Sequence, residues 1–490
     1  MNTERVRSSA RSAAPPAAGR SLALLLVGAF MALLDTTIVN VALPSVQEGL
    51  GAGSSALEWV VSGYMLTLGL ALIPAGRIGD RIGHHRMYVA GLTLFTLASL
   101  GCGLAQDPGQ LIAARVVQGL GAGAFFPAIA ALIQLLYAGP ARGRAFGTLG
   151  AIIGLSTALG PLAGGLIIEA AGVEHGWRWV FLVNVPIGLV AVPLAAALLP
   201  RGAGSRDRQR VDTVGVALLS AALLALLVPL IEGQRRGWPA WTYGCLVLAV
   251  LLLAALAWWL VRLERRGGDP LVSPHLLRDR AFAAGTVLAL VYFAGFTSVF
   301  FTLSILWQTG LGHSALSAGL VTLPFPALSL VTAALSDRFS ARLGRTVLVL
   351  GCALVAAGLL ALVLVLRATS PDPAGWQVAL PLAVAGLGNG LFISPNIDFV
   401  LSAVPPREAG SASGVLNTGQ RVGAAVGIAV IGTILFGTLD ITGPQDVARG
   451  FLHSAQLATW ASLGMVAAAL VLVFGLPRRL RHAWQQPGGA

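Results

Sequence analysis

The stretch GRIGDRIGHHR, residues 76–86, lies between two long apolar segments and decides how the chain is interpreted. It contains three glycines and six charged or titratable side chains. A loop of this kind fits either a catalytic or metal-binding site built on the histidine pair or a mechanical connection between two helices. The sequence on either side of it distinguishes these alternatives.

Composition places the chain among membrane proteins. Of its 490 residues 56% are hydrophobic and 11% are charged, whereas soluble domains carry roughly 25% charged residues. Because a transmembrane helix needs about 20 mainly apolar residues, the sequence predicts an all-α integral membrane protein. All 32 basic residues are arginine, and without lysine the chain holds neither a Walker A loop nor a Schiff-base lysine.

Apolar runs between polar or Gly/Pro breaks predict fourteen transmembrane helices, called spans 1 to 14. They cover 21–43, 57–76, 87–105, 109–136, 145–169, 179–200, 213–232, 242–261, 282–308, 316–335, 346–367, 377–403, 412–438 and 454–476. The predicted organisation is a disordered cytoplasmic tail at 1–20, a six-helix half at 21–200, linkers with two extra transmembrane helices at 201–281, a second six-helix half at 282–476 and a cytoplasmic tail at 477–490.

Arginine distribution predicts the orientation. With the N-terminus in the cytoplasm, 25 of the 32 arginines fall on cytoplasmic segments and five on outer ones. Since cytoplasmic loops carry the excess of basic residues, both termini are expected inside. The net charge of +12 is then expected to face anionic lipid and not nucleic acid.

The opening stretch joins spans 2 and 3 and has a partial repeat between spans 10 and 11. The repeat contains Asp337 and Arg338, followed by Arg342, Gly344 and Arg345. If spans 7 and 8 are an insertion, each loop follows the second helix of its half. Repeated halves of this kind are typical of secondary transporters.

Four motifs carry a resemblance to a known family. They are Gly76, Asp80, Arg81, Gly83 and Arg86 in the loop; Arg115-x-x-Gln118-Gly119-x-Gly121-Ala122-Gly123 in span 4; Gly147, Ser156, Gly160, Pro161, Gly164 and Gly165 in span 5; and Leu34-Asp35-Thr36-Thr37-Ile38-Val39-Asn40-Val41-Ala42-Leu43-Pro44 in span 1. Together they resemble the major facilitator superfamily, and specifically its fourteen-helix drug:proton antiporter group. That resemblance implies two pseudo-symmetric six-helix halves plus two linking helices, and identifies the span 5 residues with an antiporter motif and the loop with a gating motif.

Two opposite charges in the first half are predicted to meet. Asp35 lies about 21 Å from the cytoplasmic end of span 1 by the helical rise, and Arg115 lies at a similar depth in span 4. A carboxylate in mid-span costs about 2.5 to 3.5 kcal/mol on insertion scales and usually lines a cavity, pairs or carries protons. The resemblance implies proton coupling by Asp35, with Arg115 modulating its proton affinity. A static buried ion pair is the alternative.

The second half has polar residues at corresponding places. They are Asp398, Asn417, Gln420 and Arg421. Asp398 is near the cytoplasmic end of span 12, so a hydrated carboxylate at the membrane interface is its alternative interpretation. In span 5 the glycines allow close helix contact and Pro161 removes a backbone hydrogen bond, which predicts either a seal against leak or packing alone.

Substrate contacts are expected on spans whose family counterparts border a central cavity. The candidates are Tyr64, Phe125, Phe126, Tyr292, Phe296, Trp307 and Gln308; aromatic faces suit bulky apolar or cationic compounds, and packing is the alternative for each. His84 and His85 lack companions with metal-ligand spacing, so no metal site is expected. The pair either senses pH or stands in for the family's basic residues.

These features predict a transporter of the cytoplasmic membrane and not an enzyme. It would exchange protons for small organic molecules such as drugs, antibiotics, and amphipathic or cationic compounds, by alternating access. No cofactor is expected, since the proton gradient supplies the energy; the expected partners are the substrate, protons and membrane lipid, with no nucleic acid, and the chain is expected to be monomeric. The alternatives are an exporter of one endogenous metabolite or antibiotic, a proton-coupled importer, a membrane-embedded enzyme and a sensor.

Overall fold

The computed structural model describes residues 16–137, 139–200, 212–233, 236–272, 274–369, 372–402, 404, 409–441, 443 and 446–477. Within these ranges the chain consists of helices and their connections, without strands. The predicted tails lie outside these ranges, apart from a few residues. Residues 16–20, which the sequence assigns to a disordered tail, form the first turn of a helix.

The helices fall into two groups separated by an insert. The first half contains α1 Pro16–Leu50, α2 Ser54–Ile82, α3 His84–Leu104, α4 Pro108–Leu136, α5 Gly139–Ala171, α6 Val173–Leu182 and α7 Asn184–Leu198. The insert contains α8 Thr213–Gly233, α9 Ala240–Arg265 and the short α10 Pro274–Arg278. The second half contains α11 Arg280–Ile305, α12 Ala315–Thr322, α13 Pro324–Leu343, α14 Thr346–Ala368, α15 Gly375–Ser402, α16 Ala409–Gly437 and α17 Val447–Val473.

Among the described residues, fourteen helical segments are long and apolar enough to cross a membrane, which confirms the predicted number. Two of them are broken. The sixth, Val173–Leu198, starts earlier than the predicted residue 179 and breaks at Val183, where Pro186 cannot donate to the carbonyl of Leu182. The tenth breaks at Leu323, just before Pro324, although the sequence predicts an unbroken span.

Local capping explains where several helices begin. Asp107 precedes α4 and its side chain accepts a hydrogen bond from the Gln110 N–H, while Pro108 occupies the first helical position. Asp279 accepts from the N–H groups of Ala281 and Phe282 at the start of α11. Both are standard ways of satisfying amides that a helix leaves unpaired.

The two halves repeat the same close helix contact. In the first half a Cβ at Gly91 of α3 would lie 2.9 Å from the Gly121 carbonyl oxygen of α4. In the second half a Cβ at Gly351 of α14 would lie 2.9 Å from the Gly388 carbonyl oxygen of α15. Paired glycines let both helix pairs touch backbone to backbone, and their matching positions reflect the pseudo-symmetry of the halves.

The connections define two ends of the helix bundle. We call the end that carries Arg77, Arg81, Arg262, Arg265 and Arg345 the arginine-rich end, and the opposite end the arginine-poor end. Helices α1, α3, α5, α8 and α11 start at the arginine-rich end, and α2, α4 and α9 start at the arginine-poor end.

The insert is attached at the arginine-rich end by Asp212. Its Oδ1 accepts from the Gly215 N–H at 2.7 Å and from Trp259 Nε1 at 2.9 Å, and its Oδ2 accepts from the Leu271 N–H at 2.9 Å. Arg77 of α2 donates to the Asp269 carbonyl oxygen at 2.9 Å. The Asp212 carboxylate therefore links α8 and α9 to Leu271. Arg77 of α2 is hydrogen-bonded to Asp269, in the same segment.

Candidate functional site

A buried polar cluster is centred on Asp35, in the middle of α1. The Asp35 and Arg115 side chains are both fully buried and form an ion pair through Arg115 Nη1. Gln118 Nε2 donates to Asp35 Oδ1 at 2.9 Å, and Asn184 Nδ2 lies 3.5 Å from the same oxygen. The carboxylate is therefore surrounded by donors from α4 and α7.

Further contacts fix the Arg115 guanidinium. Its Nε donates to the Val60 carbonyl oxygen of α2 at 3.0 Å, and Nη1 also donates to Gln118 Oε1 at 2.7 Å. The guanidinium carbon lies 4.0 Å above the centre of the Tyr64 ring, and Nη2 has no hydrogen-bond partner. Gln118 is held in turn by Ser99 of α3, 2.6 Å away.

Five helices therefore contribute to one network of charges and hydrogen bonds. In a low-dielectric interior, a buried ion pair is costly to break at one partner only, because the remaining charge is left uncompensated. Adding a proton to Asp35 would remove the negative member of the pair. Any such change would alter the forces between α1, α4 and α2 at once.

Tyr64 brings this cluster close to the second half. Arg421 of α16 is among the charged neighbours of Tyr64, and its Nη1 lies 4.0 Å from Met65 Sδ. A Cβ at Gly69 would lie 2.9 Å from the Arg421 Cβ, and Thr418 donates to the Gly69 carbonyl oxygen at 2.9 Å. Tyr64 thus lies between one arginine of each half.

The predicted partners in the second half do not repeat the Asp35 cluster. Asp398 is exposed, in line with a hydrated carboxylate. Asn417 donates to the Ser413 carbonyl oxygen within its own helix, and the Gln420 side chain is buried. Arg421 is the member of this set that faces the first half.

The part of α5 nearer the arginine-poor end packs against α1 of its own half and against α12 of the second half. Gly160 packs on Thr37 of α1, and a Cβ at Gly164 would lie 3.0 Å from the Ile38 carbonyl oxygen. A Cβ at Gly165 would lie 2.6 Å from Leu316 Cα of α12. Pro161, in the same stretch, presents its carbonyl to Gly319 of α12.

Helices α1 and α11 extend this closure. Ser304 donates to the Asn40 carbonyl oxygen, and Gln308 Nε2 donates to the Val41 carbonyl oxygen at 3.0 Å. We call these contacts together with those of α5 and α12 the seal. The seal holds the two halves together at the arginine-poor end.

The other part of α5 is open. A Cβ at Gly147 or Gly150 would meet no atom within 4 Å, and Ser156 is buried at the boundary between the open and closed parts, donating to the Ile152 carbonyl oxygen. The motif residues are thus divided between two environments. The molecule is closed at the arginine-poor end and its α5 is unpacked toward the arginine-rich end.

The architecture and this polar cluster correspond to a known family. Residues 25–428 match the family model described as the Major Facilitator Superfamily. The chain belongs to the major facilitator superfamily.

Relatives of this superfamily member include transporters and resistance proteins. It is 38% identical to the "Probable actinorhodin transporter" of Streptomyces coelicolor over 89% of this chain and 76% of the relative, and 32% identical to a puromycin resistance protein of Streptomyces alboniger over 99% and 96%. A bacterial homologue of the human lysosomal transporter Spinster, solved in an inward-facing and unoccupied conformation, shares the fold with a TM-score of 0.65 at 14% identity, over 94% of this chain and 96% of that one. The chain is therefore a multi-pass membrane transporter and not an enzyme.

In this transporter the gating motif surrounds a sharp turn between α2 and α3. Gly83 has φ of +98°, a conformation that side chains rarely adopt. Asp80 Oδ1 lies 3.0 Å from His84 Nε2, so this histidine has an acidic partner within the motif. Arg81 and Arg86 are exposed. The side chains of Asp337 and Arg338 lie outside the described part of the chain.

Gly76 and His85 complete the motif. Gly76 faces Pro127 of α4 with ordinary van der Waals spacing. His85 Nε2 lies 3.3 Å from the Ala196 carbonyl oxygen of α7. The motif therefore contacts helices of its own half, and through Arg77 the insert.

Most of the predicted cavity residues serve packing in this conformation. Phe125 is buried between Tyr88 and Phe95, each ring centre 5.8 Å from its own, because the glycines of α3 and α4 bring those helices together. Tyr64 is buried beneath Arg115. In this conformation the Phe125 side chain is enclosed within the first half, and the Tyr64 side chain is buried between Arg115 and Arg421 of the second half.

The second-half candidates are placed differently. Tyr292 stacks on Phe392 at 3.7 Å and donates to Asn389 Oδ1 at 2.9 Å, whereas Phe296 is half-buried and stacks on Phe325 at 5.7 Å. Phe126 is also half-buried. Trp307 donates to Ser317 at 2.9 Å beside the seal, of which Gln308 is a member.

A cavity of about 560 Å³ lies at the arginine-poor end, next to the seal. Its wall combines both halves and includes Gln47, Glu48, Glu169 and His313. Sequence reasoning expected a cavity at mid-depth and did not predict this one.

The sequence analysis assigned no role to three polar side chains. Gln118 and Asn184 complete the hydrogen bonding of Asp35, and Glu58 is buried on α2. A signal existed for two of them. Gln118 follows Arg115 by three residues and so shares its helix face, and Glu58 is an acidic residue inside a span, which by default indicates function.

Proposed function

We propose that this transporter is a proton-coupled antiporter that exports small organic molecules across the cytoplasmic membrane. Its substrates would be drugs, antibiotics, and amphipathic or cationic compounds. The observation that carries the proposal is the buried Asp35–Arg115 pair, embedded in a network that involves five helices of one half and reaches Arg421 of the other.

The network offers a way to convert proton binding into movement. While Asp35 is charged it holds Arg115 and Gln118, and these hold α1 to α4. Protonation of Asp35 removes the charge that compensates Arg115, whose guanidinium lies on Tyr64. A shift of Tyr64 would change its contact with Arg421, and the two halves would rock so that the seal opens. Such rocking of two halves is the general mechanism of transporters with repeated halves.

Orientation and energetics follow from the charge distribution. The arginine-rich end would face the cytoplasm, with both termini inside, so the closed seal would face outward. Inward movement of a proton releases about 2.3 kcal/mol per 100 mV, without any cofactor. The transporter would work as a monomer in contact with anionic lipid.

A second candidate is an exporter of one endogenous metabolite or antibiotic. It is favoured by the two relatives reported above, each of which is named for a single compound. A proton-coupled importer of the same fold is less favoured, because one of these two relatives is named a resistance protein. A resistance profile of a drug-sensitive host separates the first two: broad resistance supports multidrug export, and resistance to one compound supports the specialised exporter.

The deciding experiment uses everted vesicles that contain the transporter and an amphipathic cationic dye. Energised vesicles should accumulate the dye, and Asp35→Asn should lower the initial rate at least tenfold while dye binding to the purified protein remains. Glu174→Gln, which changes an exposed carboxylate at the arginine-poor end, is the matched control and should transport normally. Proton-driven accumulation by Asp35→Asn at the wild-type rate would refute the coupling role.

A further inference from the structure

Glu58 is a carboxyl group buried between the halves and not used by the Asp35 network. It lies in the second turn of α2, near the arginine-poor end, and is 2% exposed. Its Oε2 makes no hydrogen bond. A Cβ at Gly432 of α16 would lie 2.7 Å from each of the two carboxyl oxygens, so the carboxyl group lies directly on the backbone of the other half.

The insert covers this contact. Ser55 of α2 donates to the Ile231 carbonyl oxygen at 3.3 Å, and Thr433 of α16 donates to the Leu230 carbonyl oxygen at 2.6 Å. The end of α8 is therefore hydrogen-bonded to both halves on either side of Glu58. The carboxyl group is enclosed by three helices that belong to three different parts of the molecule.

The charges around Glu58 do not compensate a carboxylate. Glu232 of α8 acts on it electrostatically and is itself 4.0 Å from Arg236. Arg115 of α4 faces Asp35, and Arg421 of α16 lies about three turns deeper, against Met65. Among the described residues the charged group that bears on Glu58 is thus another acid.

A buried carboxylate without a cationic partner or a donor is strongly disfavoured and takes up a proton instead. When α2 and α16 separate, the same group meets water and can ionise at little cost. The closed arrangement therefore favours the protonated form and the open arrangement the charged form. We propose that Glu58 is a proton-binding site of the arginine-poor end, distinct from Asp35, and that α2 closes on α16 only when this site is occupied.

The proposal sets a quantitative pH dependence. If the closed arrangement binds one proton more than the open one, the ratio of closed to open molecules rises up to tenfold for each unit by which the pH falls. The ligand is a proton from the water at the arginine-poor end. In one respect this rests on the proposed function, namely that this end opens and closes, but it requires neither a transported substrate nor coupling through Asp35.

The test measures the distance between α2 and α16 as a function of pH. Spin labels are attached at Gly53→Cys, where a side chain meets no atom within 4 Å, and at the exposed Asp440→Cys, in a chain that carries Cys245→Ser and retains the buried Cys102 and Cys352. Purified protein in lipid nanodiscs is measured between pH 5 and 9. The short-distance population should grow as the pH falls.

Three variants give the proposal distinct outcomes. Glu58→Gln, an uncharged isostere, should hold the short distance at every pH. Gly432→Ala should favour the long distance, because its methyl group competes for the space of the carboxyl group. Glu232→Gln should move the midpoint of the response to lower pH by removing a neighbouring negative charge, and it supplies a result if Glu58→Gln does not fold.

Two controls separate this proposal from the proposed function. Asp35→Asn should abolish proton-driven export and leave the pH response of the distance intact, and Glu174→Gln should leave both unchanged. A pH response that survives in Glu58→Gln, or that disappears in Asp35→Asn while Glu58→Gln behaves as wild type, would overturn the role of Glu58. Retained export in Asp35→Asn would instead overturn the coupling proposal alone.

Discussion

Asp35 has hydrogen-bond donors around it in addition to the arginine with which it forms an ion pair. Arg115 and Gln118 both bond to it, and Asn184 approaches it from α7. Displacing the carboxylate would leave these buried donors without their acceptor, which is costly. At the scale of the residue, the positions of the Asp35 side chain and of α4 are therefore linked.

Removing Arg115 should destabilise the protein severely. We expect Arg115→Gln to lower the free energy of unfolding by about 3 to 5 kcal/mol, because it leaves the Asp35 charge buried and uncompensated. Adding Asp35→Asn should recover much of that loss. Denaturant or thermal unfolding in detergent measures both, and strictly additive losses in the double variant would contradict a direct interaction.

At the scale of the element, α5 divides its glycines between two tasks. Gly160, Gly164 and Gly165 bring α5 into backbone contact with α1 and α12, whereas Gly147 and Gly150 border open space. The seal therefore depends on the absence of a Cβ atom at these three positions. A methyl group added at Gly165 cannot be accommodated without a shift, since all the nearest atoms it would meet belong to the backbone.

Gly165→Ala should open the seal. The new Cβ would lie 2.6 Å from Leu316 Cα and 2.8 Å from the Ala315 carbonyl oxygen, so α5 and α12 must separate. Labelling of a cysteine at Gln47, in the wall of the cavity beside the seal, should become several times faster. Gly150→Ala adds the same methyl group to the same helix in open space and should leave the rate unchanged; equal acceleration by both variants would argue against a local seal.

The insert depends on one carboxylate. Asp212→Ala removes the acceptor of three hydrogen bonds, from the Gly215 and Leu271 amides and from the Trp259 ring. Leaving buried donors unpaired costs about 1 to 3 kcal/mol each, so the melting temperature should fall by several degrees. Asp107→Ala, which removes a single capping bond at an exposed loop, is the control and should lower it less.

At the scale of the whole molecule, the arginine-rich end should be cytoplasmic. A cysteine at Gln106, between α3 and α4, should react with a membrane-impermeant maleimide in intact cells, and one at Arg265, at the end of α9, should react only after the membrane is opened. Both positions are exposed. The reverse pattern would contradict the orientation inferred from the arginines.

The sequence predicts the fold well because each span carries its own signal. Apolar length identifies fourteen helices, and the repeated loop marks the two halves. The sequence predicts a kink at Pro186, and the helix breaks three residues before it, at Val183. The break at Leu323 was not predicted. Composition also extended the first tail to residue 20, where a helical turn already exists.

The site was less predictable because partners come from distant parts of the chain. Counting residues from the end of each helix predicts that Asp35 and Arg115 lie at the same depth in the membrane. Such counting does not predict which neighbouring helix a side chain faces. Phe125 was therefore assigned to a cavity and lies in a core, and Glu58 was overlooked although its carboxyl group touches residue 432. Rotation about the helix axis is set by packing between helices, which a single sequence does not reveal.

Gly147 has a consequence for how tolerance to mutation should be interpreted in this protein. In the arrangement described here nothing requires it to be glycine, since a methyl group would meet only empty space. If the arginine-rich end closes during the cycle as the opposite end does here, the reason for this glycine lies in that other arrangement. A library of variants screened for heat resistance would then accept Gly147→Ala and reject Gly165→Ala, whereas a screen for export would reject both. Positions at which the two screens disagree would identify residues that are packed only in the other conformation.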